Sequence, residues 1–278
     1  MRHSPRGVPA GTELIYGMHA VRAILTRHPD SVLCVKIARG RDDPRARDLE
    51  ALARRQARPV ERVDAQALDR AAGEVVHQGV AAEIAPLPAW SEDDLLAALT
   101  GLGAVPAPPA PPAPPVAAPL ILALDGVQDP HNLGACLRTA DACGALAVLV
   151  PRDRAAQLTP AARKVAAGAA ESTPVVACTN LARMLALLRQ SGLWVFGADA
   201  DAGQDACAVD LTGAAVLVLG AEGRGLRQLT REHCDFLVRL PRLGAVESLN
   251  VSVAAGMLLY EAVRQRTAGS TRPVGSAG

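Results

Sequence analysis

The chain has 278 residues, half of them hydrophobic, with 29 basic and 28 acidic side chains and a net charge of +1. This length allows two domains with a substantial core, and the near-zero charge does not by itself indicate a nucleic-acid partner. No apolar run approaches the roughly 20 residues that span a bilayer, and the first residues lack the apolar stretch of a signal peptide, so we expect a cytoplasmic protein.

The cations and cysteines narrow the class of protein further. Arginine supplies 27 of the 29 cations, and a guanidinium suits bidentate contacts with phosphate. The six cysteines are scattered, with no Cys-x-x-Cys pair and no paired histidine spacing. This spacing predicts reduced, mostly buried thiols, with no disulfide framework and no metal site.

Residues 1–12 are expected to be a disordered lead, and residues 13–88 a small α/β domain. Apolar periodicity predicts helices and strands that alternate, with Asp64 as an N-cap; the helices are 17–27, 45–57 and one opening at 64–68, and the strands are 31–38, 59–63 and 80–84. Near its end, His77 and Gln78 interrupt the apolar pattern. Either His77 is a structural histidine beside a turn, or one of the two side chains contacts RNA.

Residues 89–119 are predicted to be a linker, because prolines dominate the run from Val105 to Pro115. Proline lacks the amide donor that a helix interior or a central strand needs. Such a run favours a polyproline II spacer that rises about 3.1 Å per residue. The linker therefore marks a domain boundary.

Residues 120–266 are predicted to form a second α/β domain, followed by a flexible tail at 267–278. Short apolar strands such as 215–219 are typical of a parallel sheet covered on both faces. The predicted strands are 120–124, 145–150, 193–198, 215–219 and 236–240. The predicted helices are 132–143, 160–169, 181–191, 226–233 and 249–266.

Three polar segments, 125–141, 220–226 and 240–256, each follow a predicted strand, where open α/β sheets bind ligands. The glycines of 220–226 are spaced G-x-x-G-x-G, which is neither the dinucleotide-binding fingerprint nor a Walker loop. The chain also lacks the Gly-x-Ser-x-Gly turn of serine hydrolases. These patterns disfavour a Rossmann dehydrogenase, an ATPase and a hydrolase.

Together the three segments resemble the motifs of the SpoU (TrmH-like) family of RNA ribose 2′-O-methyltransferases, within the SPOUT superfamily. The matching stretches are 129–135, 169–172 and 229–235, and residues 16–80 resemble the family's L30e-like substrate-binding domain. The resemblance implies a C-terminal α/β trefoil-knot domain with a mainly parallel sheet and a small N-terminal L30e-like α/β domain. It also implies a homodimer with the 249–266 helix near the interface.

The resemblance further implies S-adenosyl-L-methionine as cofactor, no metal, and RNA as the partner. Among family members, it is greatest to those that methylate a guanosine in the P loop of the 23S rRNA peptidyl-transferase region. Cofactor contacts, largely through the backbone, are implied at Gly220, Leu240 and Leu249.

Catalytic positions are implied at Asn132, Arg138, Glu222, Ser248 and Asn250. A guanidinium stays protonated, so we expect Arg138 to clamp the ribose-phosphate and stabilise the developing alkoxide; the family's own proposal is that it removes the proton. Asn132 is expected to orient the substrate, Glu222 to hold an arginine or a ribose hydroxyl, and Ser248 and Asn250 to complete a polar wall. Helix capping is the alternative role for Asn132 and Ser248, and an exposed turn the alternative for 222–224.

Two features depart from the family. The proline-rich insert is longer and stiffer than the expected linker, and only six residues are aromatic. Base stacking on aromatic side chains is therefore not the main route to RNA recognition, and arginine contacts and RNA shape should dominate. The alternatives are a tRNA ribose methyltransferase with the same fold and a catalytically silent RNA-binding or ribosome-assembly factor; the intact set of catalytic positions argues against the second.

Overall fold

The computed structural model describes residues 12–73, 77–87, 89–101, 118–246 and 248–268. Two compact units divide these residues: the first contains residues 12–87 together with 167–172, and the second contains the remainder from residue 89 onward. Residues 1–11 of the predicted lead, the proline-rich run and residues 269–278 of the tail lie outside the described residues.

The first unit is built on a four-stranded mixed sheet. Its elements are β1 (Glu13–Tyr16), α1 (Met18–Arg27), β2 (Val32–Ala38), α2 (Pro44–Arg55), β3 (Val60–Val63), α3 (Ala65–Ala72) and β4 (Val80–Ile84). The strand order is β1-β4-β2-β3, with β4 antiparallel to both neighbours and β3 parallel to β2. The predicted α/β pattern is confirmed, and Asp64 caps α3 by accepting from the Gln66 N–H. The pattern misses β1, a four-residue strand in which only Ile15 is buried.

His77 and Gln78 are held by hydrogen bonds to their own turn and to the helices α3 and α1. His77 Nδ1 accepts from the Gly79 N–H at 2.9 Å, and its Nε2 lies 2.7 Å from Asp69 Oδ1. Gln78, in the left-handed region with φ of 52°, accepts at Oε1 from the Met18 N–H at 3.3 Å. Because both ring nitrogens of His77 already have protein partners, the contacts favour the structural role over the RNA contact.

The second unit is built on a six-stranded sheet in which every pairing is parallel. Its elements are α4 (Glu92–Thr100), β5 (Leu120–Asp125), α5 (Pro130–Ala142), β6 (Ala147–Pro151), α6 (Pro160–Ala166), β7 (Val175–Cys178), α7 (Leu181–Gln190), β8 (Trp194–Ala198), β9 (Ala215–Gly220), α8 (Gln228–Glu232), β10 (Phe236–Val238) and α9 (Val251–Ala268). The order is β10-β8-β9-β5-β6-β7. The predicted mainly parallel sheet is confirmed; the short strand β7 is missed by the sequence pattern.

The predicted linker begins too early, because α4 lies within it. Ser91 and Asp94 form a capping box at its start, and Leu95 is wholly buried in the core of the second unit. The carboxylate of Glu92 accepts from the Thr179 N–H and from Arg183 Nη2, both at 2.8 Å. Residues 92–100 therefore belong to the second unit, because Leu95 packs in its core and Glu92 binds its backbone and Arg183. The prolines that suggested a linker lie further along the chain.

Two close contacts position α5 and α9 in the second unit. A Cβ on Gly134 would lie 2.4 Å from the Ala162 carbonyl oxygen, so only glycine allows α5 to approach α6 this closely. At the end of α9, the Arg266 guanidinium donates to the carbonyls of Leu211, Gly213 and Ala118. These bonds tie the last turn of α9 to the loop before β9 and to the start of β5.

All six cysteines are free, and burial raises the pKa of Cys136, Cys178 and Cys234 to about 12. Thiols with such a pKa remain protonated near neutral pH and are unreactive. Among the helices of the described ranges, none is long and apolar enough to cross a membrane.

Candidate active site

Four parallel strands of the second unit end at one edge of the sheet: β5 at Asp125, β8 at Ala198, β9 at Gly220 and β10 at Val238. The adjacent strands β5 and β9 lie at the centre, and the chain leaves them toward opposite sides of the sheet. Such a switch point is where open α/β sheets bind ligands. All three predicted polar segments begin at this edge.

Asn132, Glu222 and Asn250 form what we term the amide–carboxylate cluster. Glu222 Oε1 accepts from Asn250 Nδ2 at 2.7 Å, from Asn132 Nδ2 at 3.2 Å and from the Val251 N–H at 3.3 Å. Asn250 Nδ2 also lies 3.0 Å from Asn132 Oδ1. A carboxylate that accepts several hydrogen bonds is held in one orientation, so the structure brings three of the five predicted catalytic residues together.

The capping roles fall on other residues than the sequence suggests. Asp129, not Asn132, caps α5 by accepting from the His131 N–H at 2.9 Å. Asn250 Oδ1 accepts from the Ser252 and Val253 N–H groups at 2.9 and 3.4 Å, which is the N-cap arrangement for α9. Asn250 is therefore both cap and cluster member, with its oxygen facing the helix and its nitrogen facing Glu222.

The partners of Glu222 also differ from the expectation that it holds an arginine. Within the described part of the chain, its hydrogen bonds all use Oε1 and come from amide groups. Glu222 is exposed as a residue, so Oε2 is left for a ligand. Its expected contact with a ribose hydroxyl remains compatible with this arrangement.

The three predicted cofactor residues line one cavity of about 440 Å³, here called the strand-end cavity. Its walls are the strand ends, the turn after β9 and the approach to α9, and Glu222 and Ser248 also lie on them. Gly220 is required for this shape, because a Cβ there would lie 2.0 Å from the Gly225 carbonyl carbon. The other lining residues include Asp199, Asp201, Leu219, Arg231, Val238, Arg242 and Ala254.

A second cavity of about 580 Å³, the arginine cavity, lies on the other side of the turn after β9. Asn132 lines it, with three arginines, Arg154, Arg224 and Arg227. The two cavities share a wall formed by Ala221, Glu222, Arg224, Gly225, Leu226 and Val251. The two cavities therefore adjoin at the loop that carries Glu222, and a group bound in one lies beside a group bound in the other.

Arg138 is not part of the amide–carboxylate cluster. It lies on α5 six residues beyond Asn132, which places it about 9 Å further along the helix and about 120° around it. Its side chain is exposed and forms no hydrogen bond or ion pair with any residue that the structure describes. A free guanidinium in this position is available to RNA or to a second chain.

Arg154 and Arg227 line the site but lie outside the predicted polar segments, and Asp125 and Arg224 lie inside them without a predicted role. The one signal that the sequence offered for these residues was Asp125, a carboxylate at the end of an otherwise apolar strand. In the structure its side chain is wholly buried. The described residues contain no group of three or more His, Cys, Asp or Glu side chains that could hold a metal ion.

The chain combines a small mixed-sheet unit with an all-parallel α/β unit that has two cavities at its strand ends, and known families match both parts. The SpoU rRNA Methylase family matches residues 119–260, and the family of RNA 2′-O ribose methyltransferase substrate-binding domains matches residues 14–90. The chain belongs to the SpoU rRNA methylase family.

Individual relatives agree with this assignment. The chain is 52% identical over 259 residues to the Pseudomonas syringae pv. tomato protein 23S rRNA (guanosine-2′-O-)-methyltransferase RlmB, which covers 92% of this chain and 97% of the relative. Among solved structures, it resembles the SpoU methyltransferase AviRb from Streptomyces viridochromogenes with a TM-score of 0.70 and 26% identity, over 94% of this chain and 91% of the other.

Two further solved structures match this chain. AviRb in complex with the cofactor AdoMet matches with a TM-score of 0.69 and 24% identity, over 93% of this chain and 91% of the other, which shows the shared fold. The A. aeolicus TrmH/SpoU tRNA modifying enzyme matches with a TM-score of 0.50 and 30% identity, over 54% of this chain and 77% of that chain.

The double role of Asn250 can be separated by two substitutions. Asn250→Ala removes both the cap and the amide donor, so the free energy of unfolding should fall by about 0.5–2 kcal/mol. Asn250→Ser keeps an oxygen able to cap α9 and removes only the donor to Glu222, so its stability should stay closer to wild type. Urea unfolding of both variants measures this; equal losses of stability would contradict the assignment of Asn250 as the cap.

Proposed function

We propose that the protein transfers the methyl group of S-adenosyl-L-methionine to the ribose 2′-oxygen of a guanosine in 23S rRNA, in the P loop of the peptidyl-transferase region. The observation that carries this proposal is that the two cavities adjoin at Glu222. A methyl donor bound in one cavity would therefore lie beside an acceptor bound in the other. Family membership and the 52% identity to a 23S rRNA (guanosine-2′-O-)-methyltransferase support this choice of substrate.

The strand-end cavity suits S-adenosyl-L-methionine in size and charge. Its volume of about 440 Å³ lies in the usual range for small-molecule sites. Leu240 and Leu249 offer apolar surface to the adenine ring. The lining carries both carboxylates, such as Glu222, and the guanidiniums of Arg224, Arg231 and Arg242. This mixture suits a ligand that has sulfonium and ammonium charges as well as a carboxylate. When bound, this cofactor supplies an activated methyl group.

The protein's own contribution is chiefly to orient the acceptor and to stabilise charge. The amide–carboxylate cluster fixes Glu222, whose Oε2 can accept a hydrogen bond from the 2′-hydroxyl and aim its oxygen along the line of attack. We assign Ser248, at the rim of the strand-end cavity, to the same polar wall. We assign Arg138 to the ribose-phosphate, where its positive charge stabilises the developing alkoxide.

The sequence leaves two alternatives to an rRNA methyltransferase, and a specific observation weighs against each. The tRNA modifying enzyme from A. aeolicus matches only 54% of this chain, whereas the RlmB relative matches 92% of it. A catalytically silent RNA-binding or assembly factor would not need the amide–carboxylate cluster. We therefore favour a cytoplasmic enzyme that acts on rRNA. We assign residues 13–88 to substrate binding and residues 120–266 to methyl transfer.

Transfer of labelled methyl from S-adenosyl-L-methionine is the direct test. Undermodified 23S rRNA should accept label at one guanosine ribose in the P loop, located by mapping the modified nucleotide, and bulk tRNA should not. Label in tRNA alone would refute the substrate. RNA binding without any transfer would instead favour the silent factor.

Arg138→Ala should lower kcat by roughly 100- to 1,000-fold, the cost of removing a donor that stabilises developing charge. Binding of S-adenosyl-L-methionine, measured by calorimetry, should persist, because Arg138 is not among the residues that line the strand-end cavity. A variant that no longer binds the cofactor would contradict the role given to Arg138.

A homodimer whose interface includes α9 is the assembly that we propose. Val253, Met257 and Tyr260 follow one another at helical spacing and are 51%, 42% and 65% exposed, and an apolar stripe of this kind favours association. Light scattering should give about twice the 28.7 kDa of one chain. Tyr260→Asp should shift the protein toward the mass of one chain, and a monomeric wild type would exclude the dimer.

A further inference from the structure

The arginine cavity contains charges that the proposed catalysis does not use. Arg154, Arg224 and Arg227 line it together with three carboxylates, Asp125, Asp129 and Glu222. Asp129 is engaged in capping α5, and the side chain of Asp125 is wholly buried. Among the described residues, neither Arg154 nor Arg224 forms an ion pair with any of these carboxylates, so two guanidiniums of this cavity are open to an anionic ligand.

Asp125 binds Arg227 closely at its backbone N–H and more loosely at its guanidinium. Asp125 Oδ2 accepts from the backbone N–H of Arg227 at 2.8 Å. Asp125 Oδ1 lies 3.5 Å from Arg227 Nε and has no hydrogen-bond partner among the described residues. The Arg227 side chain is 49% exposed. A buried carboxylate attracts its counter-ion strongly because its surroundings screen charge weakly, so Asp125 holds Arg227 at the cavity while the guanidinium still reaches solvent.

Gly126 provides the space that the guanidinium of Arg227 occupies. Its φ is 81°, and a Cβ there would lie 2.9 Å from Arg227 Nη2. The guanidinium therefore lies against the backbone just beyond the end of β5. This contact and the ion pair both fix where Arg227 enters the cavity.

Arg154 and Arg224 are exposed and have no acidic partner in the part of the chain that the structure describes. Arg154 adopts a φ of 56°, a left-handed conformation that is uncommon for a residue with a long side chain. Backbone strain of this kind is concentrated at ligand sites. Unpaired guanidiniums around one cavity are typical of a site for phosphate groups.

We propose that the arginine cavity binds RNA backbone phosphates beside the target nucleotide through Arg154, Arg224 and Arg227, and that Asp125 positions Arg227 for this contact. This inference rests on the proposed function and adds to it the residues that hold the RNA. The wall shared with the strand-end cavity includes Glu222, so phosphates bound here flank the ribose whose hydroxyl Glu222 orients.

Binding of a fragment of undermodified 23S rRNA, measured at several salt concentrations, tests the phosphate contacts. Arg154→Ala and Arg227→Ala should each raise the Kd by about 10- to 100-fold, since each loses a charge-assisted contact. The slope of log K against log salt should fall by about 0.7 to 1 for each arginine removed. Affinity for S-adenosyl-L-methionine should stay at the wild-type value.

Matched variants separate these effects from general loss of charge or of folding. Arg183→Ala removes an exposed arginine of α7 that lines neither cavity, and its salt slope should equal that of wild type. Arg227→Lys keeps a cation beside Asp125, so it should fold normally and bind RNA with an affinity between those of wild type and Arg227→Ala. A Lys variant as weak as the Ala variant with the wild-type salt slope would overturn the phosphate contact.

A double-mutant cycle tests the positioning role of Asp125. Asp125→Asn keeps an oxygen for the Arg227 N–H but removes the charge, so KM for the RNA should rise about 3- to 10-fold while kcat is unchanged. Combined with Arg227→Ala, it should have no further effect, because Asp125 acts through Arg227. Additive effects would mean that Asp125 contacts the RNA or supports the fold independently, and would overturn its positioning role.

The outcomes distinguish this inference from the proposed function. If wild type methylates 23S rRNA while Arg154→Ala and Arg227→Ala both keep the wild-type Kd and salt slope, the inference fails and the function stands. If wild type transfers no methyl group to 23S rRNA, the function fails, and with it the RNA on which the inference depends. Loss of cofactor binding in either variant would overturn the assignment of the two cavities to different ligands.

Discussion

The site depends on one acceptor atom, Glu222 Oε1. It takes hydrogen bonds from the first turn of α5, from the N-cap of α9 and from the first residue of α9, segments that are 90 and 28 residues away in the chain. A carboxylate oxygen that accepts three hydrogen bonds from amide groups holds its donors more firmly than a neutral acceptor does. The two helices are thereby joined at the loop after β9, and the wall between the two cavities acquires a defined shape.

Close backbone approach makes that shape possible. Gly220 passes so near Gly225 that no side chain fits between them, and Gly126 leaves space for a guanidinium on the opposite side of the loop. Three arginines line each cavity, and Arg224 is common to both. The strand-end cavity differs in the apolar surface that Leu240 and Leu249 give it. In the function that we propose, the methyl donor binds on the more apolar side of this loop and the RNA acceptor on the other.

Much of the fold follows from local pattern, and the exceptions have physical reasons. The apolar runs of the parallel sheet locate β5, β6, β8, β9 and β10, and Asp64 marks a helix start by capping. Proline content hides α4, whose place is decided by Leu95 in the core and by the contacts of Glu92. For His77, the sequence leaves two roles open, and only the observed partners of its ring nitrogens favour one.

The sequence by itself determined the α/β class, the family resemblance and the identities of the candidate site residues, because these depend on residue type and spacing along the chain. Only the tertiary structure decided which of them meet. Asn132, Glu222 and Asn250 come together, while Arg138, although close to Asn132 in sequence, projects from another side of α5. The buried charge of Asp125 and its hold on Arg227 likewise depend on two segments 102 residues apart, a distance over which no local pattern carries information.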